Sequence, residues 1–204
     1  MKHIQWQGKT VAPSKLICVG RNYAAHAAEL GNDVPKEPII FCKPNSAISD
    51  TLASCHGGET LHFETEISFL IQSNQIAGVG LGLDLTKRTL QNTLRGDQLP
   101  WERCKAFDGS AVFSEFIDFE GSVDGLSLKL FIDDELVQNG GVDLMIFKPQ
   151  TLIENITEFM SLEDNDIIMT GTPAGVGAVN KGATFKAVLL NNGEELISKS
   201  WVAQ

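Results

Sequence analysis

Three carboxylates and a few bases carry the chemistry that this sequence can do. Glu64 and Glu66 stand two apart in His62-Phe63-Glu64-Thr65-Glu66. The residues that follow, Ile67, Phe69, Leu70 and Ile71, favour a strand, so the two side chains are expected on one face of it. Asp84 ends the apolar run Val79-Gly80-Leu81-Gly82-Leu83, where a buried strand would deliver it to an edge of the core. Carboxylates brought together repel, and burying them unpaired costs several kcal/mol each. Such a cluster needs a cation. All-oxygen ligation suits a hard one, magnesium first and manganese or calcium next, rather than zinc. The same spacing also fits two glutamates on the solvated face of an amphipathic strand.

The candidate bases come from other segments. His26 and Glu29 are three apart in the alanine-rich stretch Arg21–Gly31, read as a helix with Asn22 as N-cap and Gly31 as its stop. On one helical face a carboxylate beside an imidazole raises its basicity and fixes its tautomer, as a general base requires; a plain surface pair has the same spacing. Lys105 lies in a loop-like run, Leu99–Ser110, beside Cys104 and Phe107, which would hold its ammonium in place. Lys43 closes a strand over Pro38–Pro44 and faces either a substrate anion or solvent. Arg88 and Gln91 share a face of a short helix expected from Thr86 to Arg95, and point toward the metal region or toward water. Thr170-Gly171-Thr172-Pro173-Ala174-Gly175-Val176-Gly177 follows a buried strand, Asp166–Met169. Its backbone N–H groups and hydroxyls could bind a carboxylate, or it is simply a tight loop. No Gly-Lys-Ser/Thr follows, so it is not a Walker loop.

These groups must be positioned by an ordinary globular chain. Its 204 residues, 43% hydrophobic and 21% charged, suit one substantial core: a short segment over residues 1–14, then one domain over 15–204. No apolar run approaches the roughly 20 residues that span a bilayer, and the start lacks a signal-peptide core, so a cytoplasmic location is expected. A net charge of −10 argues against nucleic-acid or anionic-membrane partners. It leaves room for a small anionic substrate held by local positive charge or a metal. Cys18, Cys42, Cys55 and Cys104 are scattered and read as reduced thiols. The elements are mostly strands: Lys15–Gly20, a hairpin of Leu126–Ile132 and Glu135–Gln138 closed by Asn139-Gly140-Gly141, and a last hairpin over 185–197. Leu152, Ile153, Ile156, Phe159 and Met160 mark one amphipathic helix after Pro149.

In order, Gly20-Arg21-Asn22-Tyr23-x-x-His26-x-x-Glu29, Lys43-Pro44, Glu64-x-Glu66, Leu83-Asp84-Leu85-Thr86-x-Arg88-x-x-Gln91, Lys105-x-Phe107-Asp108 and Thr170-Gly171-Thr172-Pro173-x-Gly175-Val176-Gly177 resemble the fumarylacetoacetate hydrolase family. The likeness runs from Lys15 to the C-terminus and is greatest to the small single-domain members that act on acylpyruvates and oxaloacetate. It implies an α+β, mainly β fold, a mixed β-sandwich roll, and a homodimer. It also implies magnesium or manganese on Glu64, Glu66 and Asp84. By the same resemblance His26 and Glu29 would activate water from a lid-like segment, and Lys105 would touch the substrate oxygen. Arg21, Gln91 and Thr172 would line the pocket, with Asn22, Lys43, Arg88 and Asp108 also on the substrate side. Two departures stand out. Only 17 residues separate Glu66 from Asp84, where many relatives carry a longer excursion, and Phe63 stands where close relatives often have a second histidine.

The chemistry expected of such a site follows from the substrate class. A 2-oxo acid chelates a divalent ion through its carboxylate and keto oxygens, which fixes it and polarises the keto group. With water activated by His26, attack on the distal carbonyl of an acylpyruvate breaks a C–C bond and leaves pyruvate enolate. Lys105 would face the oxygen where charge develops. Decarboxylation and keto–enol tautomerisation of oxaloacetate pass through the same kind of enolate. Hydrolysis of acylpyruvates is the first expectation and the oxaloacetate reactions the alternative.

Overall fold

Alternation along two neighbouring strands sets the architecture. The computed structural model describes all residues, Met1–Gln204, and at its centre Thr65–Gln72 runs antiparallel to Gln75–Asp84. Ile67, Phe69 and Ile71 on the first strand, and Val79, Leu81 and Leu83 on the second, point into the larger core. Leu70, one residue out of phase, joins a smaller core on the opposite face. Along that face the second strand has Gly78, Gly80 and Gly82, a groove into which aromatic rings settle. A Cβ at Gly80 would lie 3.0 Å from the Phe116 ring, and one at Gly82 would lie 2.6 Å from Ser68 Oγ. The alternating glycines of the sequence are therefore a seat for side chains from other segments.

The sheet holding these strands has the order Ile39–Pro44, Lys15–Gly20, Ile167–Met169, Thr65–Gln72, Gln75–Asp84, Ala111–Phe113, Ile48–Ser49, with Ile117–Asp118 also paired to Gln75–Asp84. It is mixed: Ile167–Met169 is parallel to Lys15–Gly20 and antiparallel to Thr65–Gln72. A four-stranded antiparallel sheet, Glu135–Gly141, Leu126–Ile132, Thr184–Asn191, Glu194–Val202, packs on it through Leu126, Leu128, Leu130, Phe185, Ala187 and Leu189. This is the α+β, mainly β sandwich roll that the motif order implied. The smaller core lies under the N-terminal hairpin Ile4–Trp6 and Lys9–Val11. No helix is long and apolar enough to cross a membrane, and all four cysteines are free.

Several local expectations shift. The first helix is Ala24–Glu29 with Tyr23, not Asn22, at its N-cap. The Asn22 side chain is used elsewhere, donating to Phe147 O at 3.0 Å and Thr170 O at 2.8 Å and accepting from Phe147 N at 2.7 Å. The run Leu99–Ser110 is not all loop, since Glu102–Lys105 forms a helical turn. The expected Thr86–Arg95 helix is Arg88–Gly96. Gly140 and Gly141 do not close their hairpin but continue the strand, Gly141 pairing with Ser127; Gly140 is where Pro173 and Tyr23 pack too closely for a Cβ. The helix after Pro149 ends at Thr157, leaving Phe159 60% exposed rather than in the core.

Candidate metal and substrate site

The three carboxylates converge at the end of the central strand pair. Asp84 is the last residue of its strand, and its N–H donates to Glu64 O at 2.8 Å. Glu66 sits opposite Gly82 in the ladder. Glu64 and Glu66 do not share one strand as expected: Glu64 occupies the single-residue break between His62–Phe63 and Thr65–Gln72. Across that break the backbone pairing persists through Asp84 N and Glu64 O, and Glu64 keeps the face it shares with Glu66. One oxygen from each of the three lies within 4.8 Å of the others, and all three side chains are buried, so the solvated-face alternative does not apply.

Buried anions at this density require cations, and the fold supplies them. Lys105 Nζ donates to Glu64 Oε2 at 2.8 Å, Asp84 Oδ2 at 2.7 Å and Thr86 Oγ1 at 2.6 Å. Burial alone would lower the lysine pKa, but Asp84 and Glu64 outweigh it and raise it above the ordinary value. Burial would likewise raise Glu64, yet Lys105 and Arg88 hold its carboxyl well below the usual carboxylate range. Arg88 bridges Glu64 and Gln91. Glu66 is the exception. Its hydrogen bond comes from Gly171 N at 2.8 Å, no basic side chain pairs with it, and burial, then Asp84 and Glu64, push its pKa well up.

The Thr170–Gly177 loop does bind carboxylates, and they are the protein's own. Gly171 N holds Glu66, and Gly175 N donates to Glu29 Oε1 at 3.0 Å. Gly171 and Gly175 have φ of +95° and +100°, and a Cβ at Gly175 would lie 2.1 Å from Val137 O, so only glycine fits there. Glu29 in turn holds His26, with Oε2 at 3.2 Å from Nδ1. One loop thus anchors both the carboxylate cluster and the imidazole partner.

A cleft lined by Arg21, His26, Glu64, Arg88, Gln91 and Lys105 reaches the cluster at Glu64, with Glu66 and Asp84 buried behind it. Four other expected residues lie off it. Lys43 is fully buried behind Asp84, with Nζ 2.8 Å from Oδ1 and bonded to Lys105 O. Asn22 ties loops together, as described. Asp108 is exposed, and Thr172 is buried, accepting from Gln138 Nε2 at 2.8 Å. The cleft also takes Phe41, Arg95 and Trp101, which the motifs did not single out. Arg95 carried a usable signal, since it falls seven residues after Arg88 and four after Gln91 on the same helical face. Phe41 and Trp101 did not, because their edge-on contact, centroids 5.8 Å apart, joins segments remote in sequence.

The donor set fits a hard divalent cation. All candidate ligand atoms are carboxylate oxygens, and Glu66, held only by Gly171 N, lacks a basic partner. Together fold and site define a carboxylate-clustered β-roll with a basic, imidazole-bearing cleft. Residues 15–199 match the family model described as Fumarylacetoacetate (FAA) hydrolase C-terminal, and the chain belongs to that family. It is 38% identical over 200 residues to an oxaloacetate tautomerase of Escherichia coli, covering 89% of this chain and 91% of that protein. It is 40% identical over 195 residues to a mitochondrial oxaloacetate tautomerase of Oryza sativa, covering 86% and 85%. Among solved structures, the fumarylpyruvate hydrolase of Pseudomonas aeruginosa in complex with Mn2+ and pyruvate superposes with a TM-score of 0.89 at 30% identity, covering 99% of this chain and 95% of that one.

Proposed function

We propose that this protein is a divalent-metal-dependent enzyme of small 2-oxo acids, and that its principal reaction is the keto–enol tautomerisation of oxaloacetate. The observation that carries the reading is the convergence of Glu64, Glu66 and Asp84 at a cleft lined by Lys105 and His26. Nearly full-length likeness to two oxaloacetate tautomerases supports the choice of reaction. Glu64, Glu66 and Asp84 would hold magnesium or manganese, and the bound ion would anchor the 2-oxo acid and polarise its keto group.

The remaining steps belong to this chain's own residues. Glu29 accepts from His26 Nδ1, which places the imidazole proton there and leaves Nε2 as a base. Proton transfer at substrate C3 is assigned to that base. The Lys105 ammonium, kept protonated by its carboxylate neighbours, stabilises negative charge on the C2 oxygen; one such preorganised donor contributes about 3 kcal/mol. Arg88, fixed by Glu64 and Gln91, keeps the wall of the cleft positive toward an anionic ligand.

A second reading, hydrolysis of acylpyruvates, rests on the same His26–Glu29 pair, which could activate water as readily as it takes a proton from C3. Homodimerisation is part of the proposal; Leu136, Leu196 and Val202, exposed on the outer strands of the four-stranded sheet, supply apolar surface for it. The test is a magnesium assay of oxaloacetate tautomerisation and decarboxylation beside acetylpyruvate hydrolysis, with EDTA controls, on the wild type and His26→Ala. Tautomerisation should exceed the other rates, stop with EDTA and return with magnesium. Absence of metal-dependent turnover of every 2-oxo acid would overturn the enzyme reading, and acetylpyruvate cleavage alone would replace the first reaction by the second.

A further inference from the structure

Two cations of the cleft have no partner. Arg21 and Arg95 both line it beside His26, Glu64 and Lys105, and both are half-buried. None of the ion pairs uses either guanidinium, whereas Arg88 is committed to Glu64 and Gln91. The two also feel each other: the Arg21 pKa is lowered by burial and then by the charge of Arg95, with Asp33 opposing. Arg21 is held at φ 55°, a left-handed conformation unusual for a side-chain-bearing residue, directly after the strand Lys15–Gly20. Arg95 projects from the helix Arg88–Gly96. Two separate elements thus bring like charges to one narrow space, which is unfavourable until an anion lies between them. Phe41 and Trp101, in edge-on contact, line the same cleft and bring no charge to it.

We propose that Arg21 and Arg95 form a subsite for a second carboxylate, so that the cleft selects dicarboxylic 2-oxo acids over those with an uncharged distal end. The inference rests on the 2-oxo acid reading given above. Once the 2-oxo acid end of such a ligand is held at the carboxylate cluster, the far end of a four-carbon diacid carries the remaining charge. A planar guanidinium fork matches that group in two parallel hydrogen bonds, and a neutral acyl end would leave both forks unsatisfied.

The experiment compares wild type with Arg95→Met and Arg95→Lys in magnesium. KM and kcat are measured for oxaloacetate, and dissociation constants for oxaloacetate and pyruvate by quenching of tryptophan fluorescence, since Trp101 lines the cleft. Arg95→Met should raise the KM and dissociation constant for oxaloacetate on the order of 10–100-fold, with a smaller change in kcat. Pyruvate, which lacks the second carboxylate, should bind within about threefold of wild type, and Arg95→Lys should fall between the two. Equal weakening of both ligands, or of neither, would overturn the subsite. A wild type that binds both ligands but turns neither over removes the catalytic reading alone; the subsite is then decided by the ratio of the two dissociation constants.

Discussion

Replacing Glu66 by Gln should stabilise the metal-free protein, the reverse of what removing a buried, hydrogen-bonded carboxylate normally does. Glu66 lies within 4.8 Å of oxygens on both Glu64 and Asp84, without a basic partner. At an effective dielectric of about 20, two unit charges at that separation repel by roughly 3.5 kcal/mol. Two such neighbours act on Glu66, and Lys105 offsets part of the total. Glutamine keeps the shape and an oxygen for Gly171 N, exchanging a charge-assisted bond for a neutral one at a loss of about 1 kcal/mol. A net gain of about 2 kcal/mol is expected at pH 7, or a Tm higher by about 4–8 °C for a chain of this size. The pH dependence has a definite sign. The folded pKa of Glu66 is raised, so its ionisation penalises the native state as pH rises above the ordinary glutamate value, and the advantage of Glu66→Gln vanishes below about pH 4, where the carboxyl is protonated in both states. Magnesium, if bound by the cluster, should reverse the order of benefit. At 100 times its dissociation constant it stabilises the wild type by about 2.7 kcal/mol, and a 100-fold weaker site in the variant would gain only about 0.4 kcal/mol. Thermal melts in EDTA and in magnesium, at pH 4 and 7, supply the four numbers. A Glu66→Gln protein that melts below wild type in EDTA at pH 7 would refute the reasoning.

Lys105→Met should lower kcat by about 10²–10³-fold through loss of a donor at the developing charge; its stability should be partly restored by magnesium while its activity is not, which melts and rates on the same samples distinguish. Asp166 accepts from Ser14 Oγ at 2.7 Å, Lys15 N at 3.1 Å and Glu163 N at 2.9 Å, and pairs with Lys15 Nζ. Burial would raise its pKa, but the Lys15 and Ser14 hydrogen bonds lower it. Its contribution is therefore present above the unfolded aspartate value near pH 4 and lost as pH falls through the lower folded one. Asp166→Asn should cost about 2–3 kcal/mol at pH 7 by denaturant titration, and the difference from wild type should shrink in acid. Gly82→Ala must place its Cβ 2.6 Å from Ser68 Oγ and 2.9 Å from Met169 Cε and Phe113 Cε1, a crowding expected to cost about 1–3 kcal/mol by the same titration.

What could be read from the sequence was local or came as ordered motifs. The strand Lys15–Gly20, the His26–Glu29 spacing and the strand ending at Asp84 all depend on periods of two or three residues, and the structure keeps them. The fate of Lys43 depended on pairing with a remote strand, Leu16 opposite Lys43, and on Asp84 arriving from elsewhere, so nothing near Lys43 disclosed that it would be buried. Asn22 follows the same logic, because its partners Phe147 and Thr170 are brought to it by tertiary structure. The spacing of Glu64 and Glu66 was legible and the shared face it implied is kept, but the single-residue strand break at Glu64 was not marked by any local signal. The glycine groove of Gly78, Gly80 and Gly82 was visible as a pattern; its meaning needed Phe116, which lies 34 residues beyond Gly82.

The grip of Lys105 on Glu64 and Asp84 would make a metal-binding cluster a tethered ion exchanger. A divalent ion bound at the cluster would compete with an ammonium that cannot diffuse away, so its apparent affinity would be a difference between two cations for one set of oxygens. In metal-poor surroundings the tether keeps most of the negative charge balanced and the architecture intact. Were an ion to load, the displaced ammonium would stay tethered beside the cluster, available to the next anion that enters.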